Sequence, residues 1–266
     1  MTSVGLIGTG NMGAAIIRGL LAKGEAEVHG TDVDQKRVDE LAAEGMKPHA
    51  DAKSLTKACD YVVLAVKPHQ IESLVQDILP ELDGGKCLVS VAAGIKTTTI
   101  SASAEGVCPV VRVMPNTPAM VGEGVFAVCL DDEKLSDEQR GFVPGLFESL
   151  GQVHVLPERQ FDAFTAIAGS GPAYVFYFME ALIEAGVTMG LTRAQATQMV
   201  KGLFTGSAKL ASDPDRHVSM LKEMVTSPGG TTIQALNHFD RAGLKGAIID
   251  AVELCRERSE ELGEES

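Results

Sequence analysis

The chain has 266 residues, 45% of them hydrophobic, with a formal net charge of −13 at pH 7 and a pI near 4.9. That length holds one large or two ordinary domains with a real core, and the composition excludes a disordered chain. So acidic a surface repels a phosphate backbone, which argues against nucleic acid as a partner. Five cysteines, Cys59, Cys87, Cys108, Cys129 and Cys255, make an odd number with no C-x-x-C pair. Four of them lie in apolar surroundings, as reduced thiols of a cytoplasmic protein do. The opening MTSVGLIG has neither a basic segment nor a signal-type apolar run. The most apolar later stretch, 173–191, contains Glu180 and Glu184 and follows a Gly-Ser-Gly-Pro break, so no membrane span is expected.

Residues 4–7 form a short apolar run ending in glycines, and helical spacing follows over 12–23. A second strand is expected at 27–31 and a second helix at 35–44. YVVLAV (61–66) is a continuous apolar run of strand length, and 71–82 reads as helix. Further strands are expected at 87–91, 110–113, 125–130 and 153–156. Ser136 and Gln139 make an S-x-x-Q capping box for a helix reaching about residue 150. Strands alternating with helices, and apolar throughout, predict a parallel sheet covered on both faces.

The first turn, GLIGTGNMG, sets Gly8, Gly10 and Gly13 as G-x-G-x-x-G between a strand and a helix. Such a turn lets its amides approach a dinucleotide pyrophosphate at the positive end of the helix. The candidate contacts are Gly8, Thr9, Gly10, Asn11, Met12 and Gly13. Asp32 stands at the end of the second strand, where an acid holds a ribose 2′-OH and favours NAD. Lys36 and Arg37 follow and could meet a 2′-phosphate instead; Asp34 could cap the next helix. Three more segments leave strand ends on the ligand side: AVKPH, with Ala65, Val66, Lys67 and Pro68; VAAGI, with Ala92; and RVMPNTP. In the last, Asn116 is flanked by prolines that stiffen its loop, and it is the candidate neighbour of the nicotinamide.

After Pro157 the strand signals stop, which divides the chain into 1–157 and 158–266. Thr192 and Gln195 make another capping box, for a helix to about 211. Asp213 followed by Pro214 reads as a cap with a proline at the first helical position. A last helix is expected from Leu244 into the acidic tail. Residues 173–185 are apolar nearly all round, and such a helix is buried on every face. Either it is central to its own bundle or a second subunit covers it, giving an intertwined dimer.

Together these segments resemble the pyrroline-5-carboxylate reductases over essentially the whole chain. The likeness rests on GLIGTGNMG, AVKPH, VAAGI, MPNTP, GSGPAYVF and above all LKEMVTSPGGTTIQAL (221–236). The hydroxyacid dehydrogenases share the first motif, but they carry a lysine after their glycine-rich segment, and GSGPAYVFYFMEAL has none. The resemblance implies a Rossmann-type doubly wound sheet followed by an all-helical dimerisation domain. It implies NADPH or NADH as hydride donor, a cyclic imine reduced to L-proline as the last step of proline biosynthesis, and dimers assembled into a larger ring. No metal is implied.

TSPGGTT (226–232) carries no large side chain. Thr231 and Gln234 form T-x-x-Q, so a helix begins at Thr231 or Thr232. Its free amides, with Ser227, Gly229, Gly230 and Thr231, make a candidate site for a substrate carboxylate. By resemblance, the Thr232 hydroxyl reaches the ring nitrogen. Glu158 and Ser170 are further candidate pocket residues.

Overall fold

The computed structural model describes residues 1–264. The chain opens as β1 (Ser3–Ile7), α1 (Asn11–Lys23), β2 (Glu27–Thr31), α2 (Gln35–Ala43), β3 (Lys47–Pro48), α3 (Ala52–Ala58), β4 (Tyr61–Leu64) and α4 (Ile71–Ile78). It continues as β5 (Cys87–Ser90), α5 (Thr97–Ser103), β6 (Val110–Met114), β7 (Gly124–Cys129), α6 (Asp137–Gly145), β8 (Gly151–Val155) and α7 (Phe161–Phe164). The helical remainder is α8 (Gly171–Thr188), α9 (Arg193–Ala211), α10 (Val218–Met224), α11 (Thr231–Arg241) and α12 (Leu244–Glu264).

The eight strands form one sheet in the order β3-β2-β1-β4-β5-β6-β7-β8. Strand order reverses on either side of β1, which opens a crevice at the carboxyl ends of β1 and β4. Neighbouring residues on one strand serve opposite faces. Leu6 packs with Ile16, Ile17 and Phe126, whereas Ile7 packs with Leu64, Ile71 and Val75. Each such side chain, fully buried, contributes roughly 1.5–3 kcal/mol.

The expectation of a wholly parallel sheet holds for β1 to β6 only. β7 runs antiparallel to β6, with Val113 opposite Val128, and β8 is parallel to β7. Nine residues (115 to 123) separate the two strands, too few for a helical crossover. They turn through a 3₁₀ segment that Gly122 closes at φ +76°. The sequence reading omitted β3, α3 and α5. The first is a two-residue edge strand, and α5 is the β-branched run TTTISAS. The helix expected up to about 150 ends at Gly145, and a 3₁₀ turn at Glu148–Leu150 follows it.

The chain divides into two compact units, one holding Met1–Ser170 together with the chain from Cys255 onward, the other Gly171–Leu254. The division falls thirteen residues (170 minus 157) after the boundary read from strand signals. The first unit reaches into the helices because Phe161 and Phe164 pack on Ala127 and Cys129. The end of α12 belongs to it as well: Ser259 donates to Asp162 at 2.7 Å and Cys255 to Ser170 at 3.3 Å.

In the second unit α8 packs on α9 through small residues; a Cβ on Gly186 would stand 3.0 Å from that of Ala196. One face of α8 is open within the protomer, with Phe176 64% and Tyr177 71% exposed. The chain therefore does not enclose this helix in a bundle of its own. The Thr192–Gln195 capping box forms as expected. No helix begins at Pro214: Asp213 closes a turn on Asp215 and Arg216, and α10 starts at Val218 behind His217.

All five cysteines are unpaired. Burial pushes the thiol of Cys59 up to about 12 and those of Cys108 and Cys129 up to about 11, with Cys87 higher still. None of the four forms a thiolate at neutral pH, so they act as small core residues.

Candidate active site

The glycine turn between β1 and α1 leaves no room for side chains where it matters. Gly8 sits at φ +103°, and a Cβ there would lie 2.6 Å from the carbonyl oxygen of Ala65. A Cβ on Gly13 would meet the oxygen of Gly8 at 2.1 Å. Gly10 is the N-cap of α1 and supplies no side-chain cap. Among the described residues no acceptor meets the amides of Gly10, Asn11 and Met12. Three free amides at the positive end of a thirteen-residue helix form an anion cradle.

That cradle opens into a crevice of about 1220 Å³, larger than a site for an ordinary small ligand. Of the expected cofactor contacts, Gly8, Gly10, Asn11, Met12, Gly13, Asp32, Ala65, Val66, Lys67, Pro68 and Ala92 all line it. Size, free amides and a wall with no space for Cβ atoms fit a dinucleotide.

Two expected contacts do not line it. Thr9 is buried, and its amide and hydroxyl both donate to Oδ2 of Asp32, at 2.5 and 3.1 Å. The amide of Asp34 donates to Oδ1 at 2.9 Å. Burial pushes the Asp32 carboxyl up, but these donors outweigh it, and the group is held below the usual carboxylate range. Asp32 thus clamps the glycine turn to the end of β2 while one edge still faces the crevice. Asn116 is also buried; its amide donates to the Ala168 carbonyl at 3.0 Å and its oxygen accepts from the Val125 amide at 2.9 Å. Both ends of that side chain brace backbone.

Arg37, left open beside Lys36 in the sequence, lines the crevice. Its Nη1 stands 3.6 Å from where a side chain on Gly10 would begin, and its Nε is 3.3 Å from Asp34. The segment Ala50–Asp51–Ala52 forms a further wall that sequence reasoning missed. The D-x-x-S capping box of Asp51 and Ser54 was its signal.

Glu158 does not stand free. Its Oε1 accepts from the Thr97 amide at 2.8 Å and from Arg112 Nη1 at 3.2 Å, and its Oε2 accepts from the Thr97 hydroxyl at 2.6 Å. Arg112 is buried, its guanidinium 4.9 Å from the centre of the Phe161 ring. A carboxylate at the start of α5 also suits that helix end. The Ser170 hydroxyl accepts from Cys255.

In the second unit, Ser227–Pro228–Gly229–Gly230 form a β-turn closed by the Gly230 amide on the Ser227 carbonyl at 3.1 Å. Pro228 precedes Gly229 at φ +68°, the left-handed position that favours glycine. The capping box expected of Thr231 and Gln234 does not form: Gly230 is the N-cap, without a side-chain bond, and α11 begins at Thr231. The Gly230 amide is spent in the turn. Among the described residues the amides of Thr231 and Thr232 and the Thr232 hydroxyl meet no acceptor or donor. No cluster of His, Cys, Asp and Glu among the described residues could hold a metal.

Residues 158–262 match the family model described as pyrroline-5-carboxylate reductase dimerisation. Residues 3–94 match the model described as NADP oxidoreductase, coenzyme F420-dependent. The chain is 38% identical over 269 aligned residues, 99% of each chain, to a pyrroline-5-carboxylate reductase of Corynebacterium melassecola. It is similar to the solved pyrroline-5-carboxylate reductase of Coxiella burnetii, with TM-score 0.92 and 32% identity over 98% of each chain. A Plasmodium falciparum pyrroline carboxylate reductase solved with NADP bound aligns with TM-score 0.85 and 32% identity, again over 98% of each.

Proposed function

The chain belongs to the pyrroline-5-carboxylate reductase family, and from that membership and its crevice we infer that it reduces 1-pyrroline-5-carboxylate to L-proline. It is an NAD(P)H-dependent oxidoreductase acting on a C=N bond, and it works as a homo-oligomer. The observation that carries this reading is the full-length likeness, on a chain whose glycine turn leaves its helix amides free.

The bound dinucleotide supplies the hydride. The free amides of Gly10 to Met12 are the candidate holders of its pyrophosphate, and Ala65 to Pro68 with Ala92 the walls of its nicotinamide half. Arg37 offers a cation to a 2′-phosphate, while the charge of Asp32 opposes one and suits a free ribose hydroxyl. NADPH and NADH therefore both fit, and the balance between those two side chains sets the preference.

For the substrate, the α11 start supplies the handle. The Thr231 and Thr232 amides hold the carboxylate, and Gly229 and Gly230 keep the approach bare. Charge-assisted bonds of this kind contribute roughly 1.5–3 kcal/mol each. Hydride reaches an imine carbon more readily when the nitrogen is hydrogen-bonded, and the Thr232 hydroxyl is the donor assigned to that nitrogen. Ser227, in the same turn, is the further hydroxyl proposed for this pocket.

The run Glu158–Thr188 is long and apolar enough to cross a membrane by length and composition. We assign its exposed face to a second copy instead, as an intertwined dimer, because the dimerisation model covers these residues. Assembly of dimers into a ring, and a cytoplasmic place where five thiols stay reduced, belong to the same proposal. Oxidation of NADH and of NADPH, measured side by side with the imine varied, tests the reading. Binding of either dinucleotide without imine-dependent oxidation would replace the enzyme with a dinucleotide sensor.

A further inference from the structure

Away from the turn, two imidazoles meet. Nδ1 of His29, on β2, lies 2.7 Å from Nε2 of His49, which follows β3. The rings stand 5.0 Å apart at 35°. His29 is buried, and its Nε2 has no hydrogen-bond partner, lying 3.2 Å from Oε1 of Glu27 off the hydrogen-bond direction. Glu27 is itself paired with Lys47 on β3. The negative charge of that carboxylate beside Nε2 favours the His29 tautomer with its proton there. His29 Nδ1 then accepts, and His49 Nε2 donates.

His49 is the residue before the crevice wall Ala50–Ala52. Besides the imidazole contact, its amide donates to the Gly30 carbonyl at 2.9 Å. The wall stands next to Asp32 and Arg37, at the β2 side of the crevice, where a doubly wound sheet takes the adenosine half of a dinucleotide. We propose that the His29–His49 pair is a positioning device that holds this wall for the adenosine half, and that a proton on each ring releases it. The proposal rests on the crevice being the dinucleotide site.

The chemistry follows from proton count. One proton shared between the facing nitrogens makes a bond, and a single extra charge on either ring keeps it. With both rings protonated, two N–H groups face each other and two like charges meet. The charged groups around the pair are Glu27, Lys47 and Asp51, with Lys53 beyond Asp51. Burial, then the neighbouring His29, push the His49 ring below its ordinary value, against Asp51. The bond is thus intact at neutral pH, and by proton count only a second proton entering the pair breaks it.

The test is NADP⁺ binding by calorimetry from about pH 8 to about pH 5 for wild type, His49→Gln and His49→Ala. Binding by wild type at the neutral end tests the crevice itself, independently of the pair. Glutamine donates the same bond but takes no proton. A 2′-phosphate titrates near 6 in every variant, so the readout is the ratio of wild-type Kd to that of His49→Gln. That ratio should stay near one at the neutral end and rise about five-fold on the acid side, the loss of one ordinary hydrogen bond. His49→Ala, at a half-buried position, should bind about five-fold more weakly at all pH values. A flat ratio, or wild-type affinity in His49→Ala at the neutral end, overturns the proposal.

Discussion

Replacing Glu158 with alanine separates two roles for one carboxylate. In the structure it holds Arg112 and both donors of Thr97, and Arg112 has little else: its side chain is 6% exposed and its Nε has no hydrogen-bond partner. Removing Glu158 leaves a buried guanidinium over the Phe161 ring without its carboxylate. Breaking one side of a buried pair costs about 3–5 kcal/mol. The Glu158 side chain is itself 23% exposed, so water reaches the vacated position and the lower end, about 3 kcal/mol, applies. At roughly 2–4 °C per kcal/mol for a chain of this size, the Tm should fall by about 6–12 °C. Glu158→Gln keeps the shape and the bond to the Thr97 amide, and should lose about half as much. Glu158→Leu combined with Arg112→Met removes both charges and should recover much of the loss. Thermal unfolding and the KM for the imine are measured on the same preparations. A Tm within about 2 °C of wild type, well under the loss of a buried pair, together with a raised KM would refute the reasoning and return Glu158 to the substrate.

Asp32→Ser should shift the NADPH-to-NADH ratio of kcat/KM upward by about ten-fold, one unit of like-charge repulsion removed. Both dinucleotides should also bind more weakly, because the clamp on Thr9 is lost; an unchanged ratio would mean that Asp32 only braces the turn. Phe176→Glu places a charge on the open face of α8, which costs the single chain little, yet it should yield monomers or aggregate by light scattering, without activity. Gly230→Val should raise the imine KM and leave dinucleotide Kd alone, whereas Thr232→Ala should act on kcat by less than the roughly 10²–10³-fold seen for oxyanion donors. A folded Gly230→Val protein with wild-type KM would make the turn only a turn.

The reading from sequence succeeded where the signal is local. Residues 27–31 are bounded as β2 was expected, and the boxes at Ser136 and Thr192 sit within four residues of chain. Failures came in two kinds. At Thr231 the motif was present but the preceding glycine took the cap, because a Pro-Gly turn had already set the chain direction. At Asp213 a side chain able to cap closed a turn instead. The second kind is non-local: Asp32 finds Thr9 across 23 residues, Glu158 finds Thr97 across 61, and His29 meets His49 across 20. No window of sequence contains both members of these pairs. Their individual identities suggested ligands for Glu158, Thr9 and Asn116, where the fold commits them to Thr97 and Arg112, to Asp32, and to the backbone of Ala168 and Val125.

The second unit is an insertion: the first begins at residue 1, is interrupted after Ser170 and resumes at Cys255. The end of α12 is therefore the last piece of the first unit to be synthesised. It meets Asp162 through Ser259, and a Cβ on Gly263 would come 3.5 Å from the carbonyl oxygen of Gly94, in the loop that carries Ala92. On the ribosome, the strands and the glycine turn emerge early and can pair, since domains generally fold as they emerge. The loop that carries Ala92 gains this cover only after the whole helical insertion has been made. The cover on that loop thus depends on residues 255–264, and a nascent chain that has not reached them lacks it.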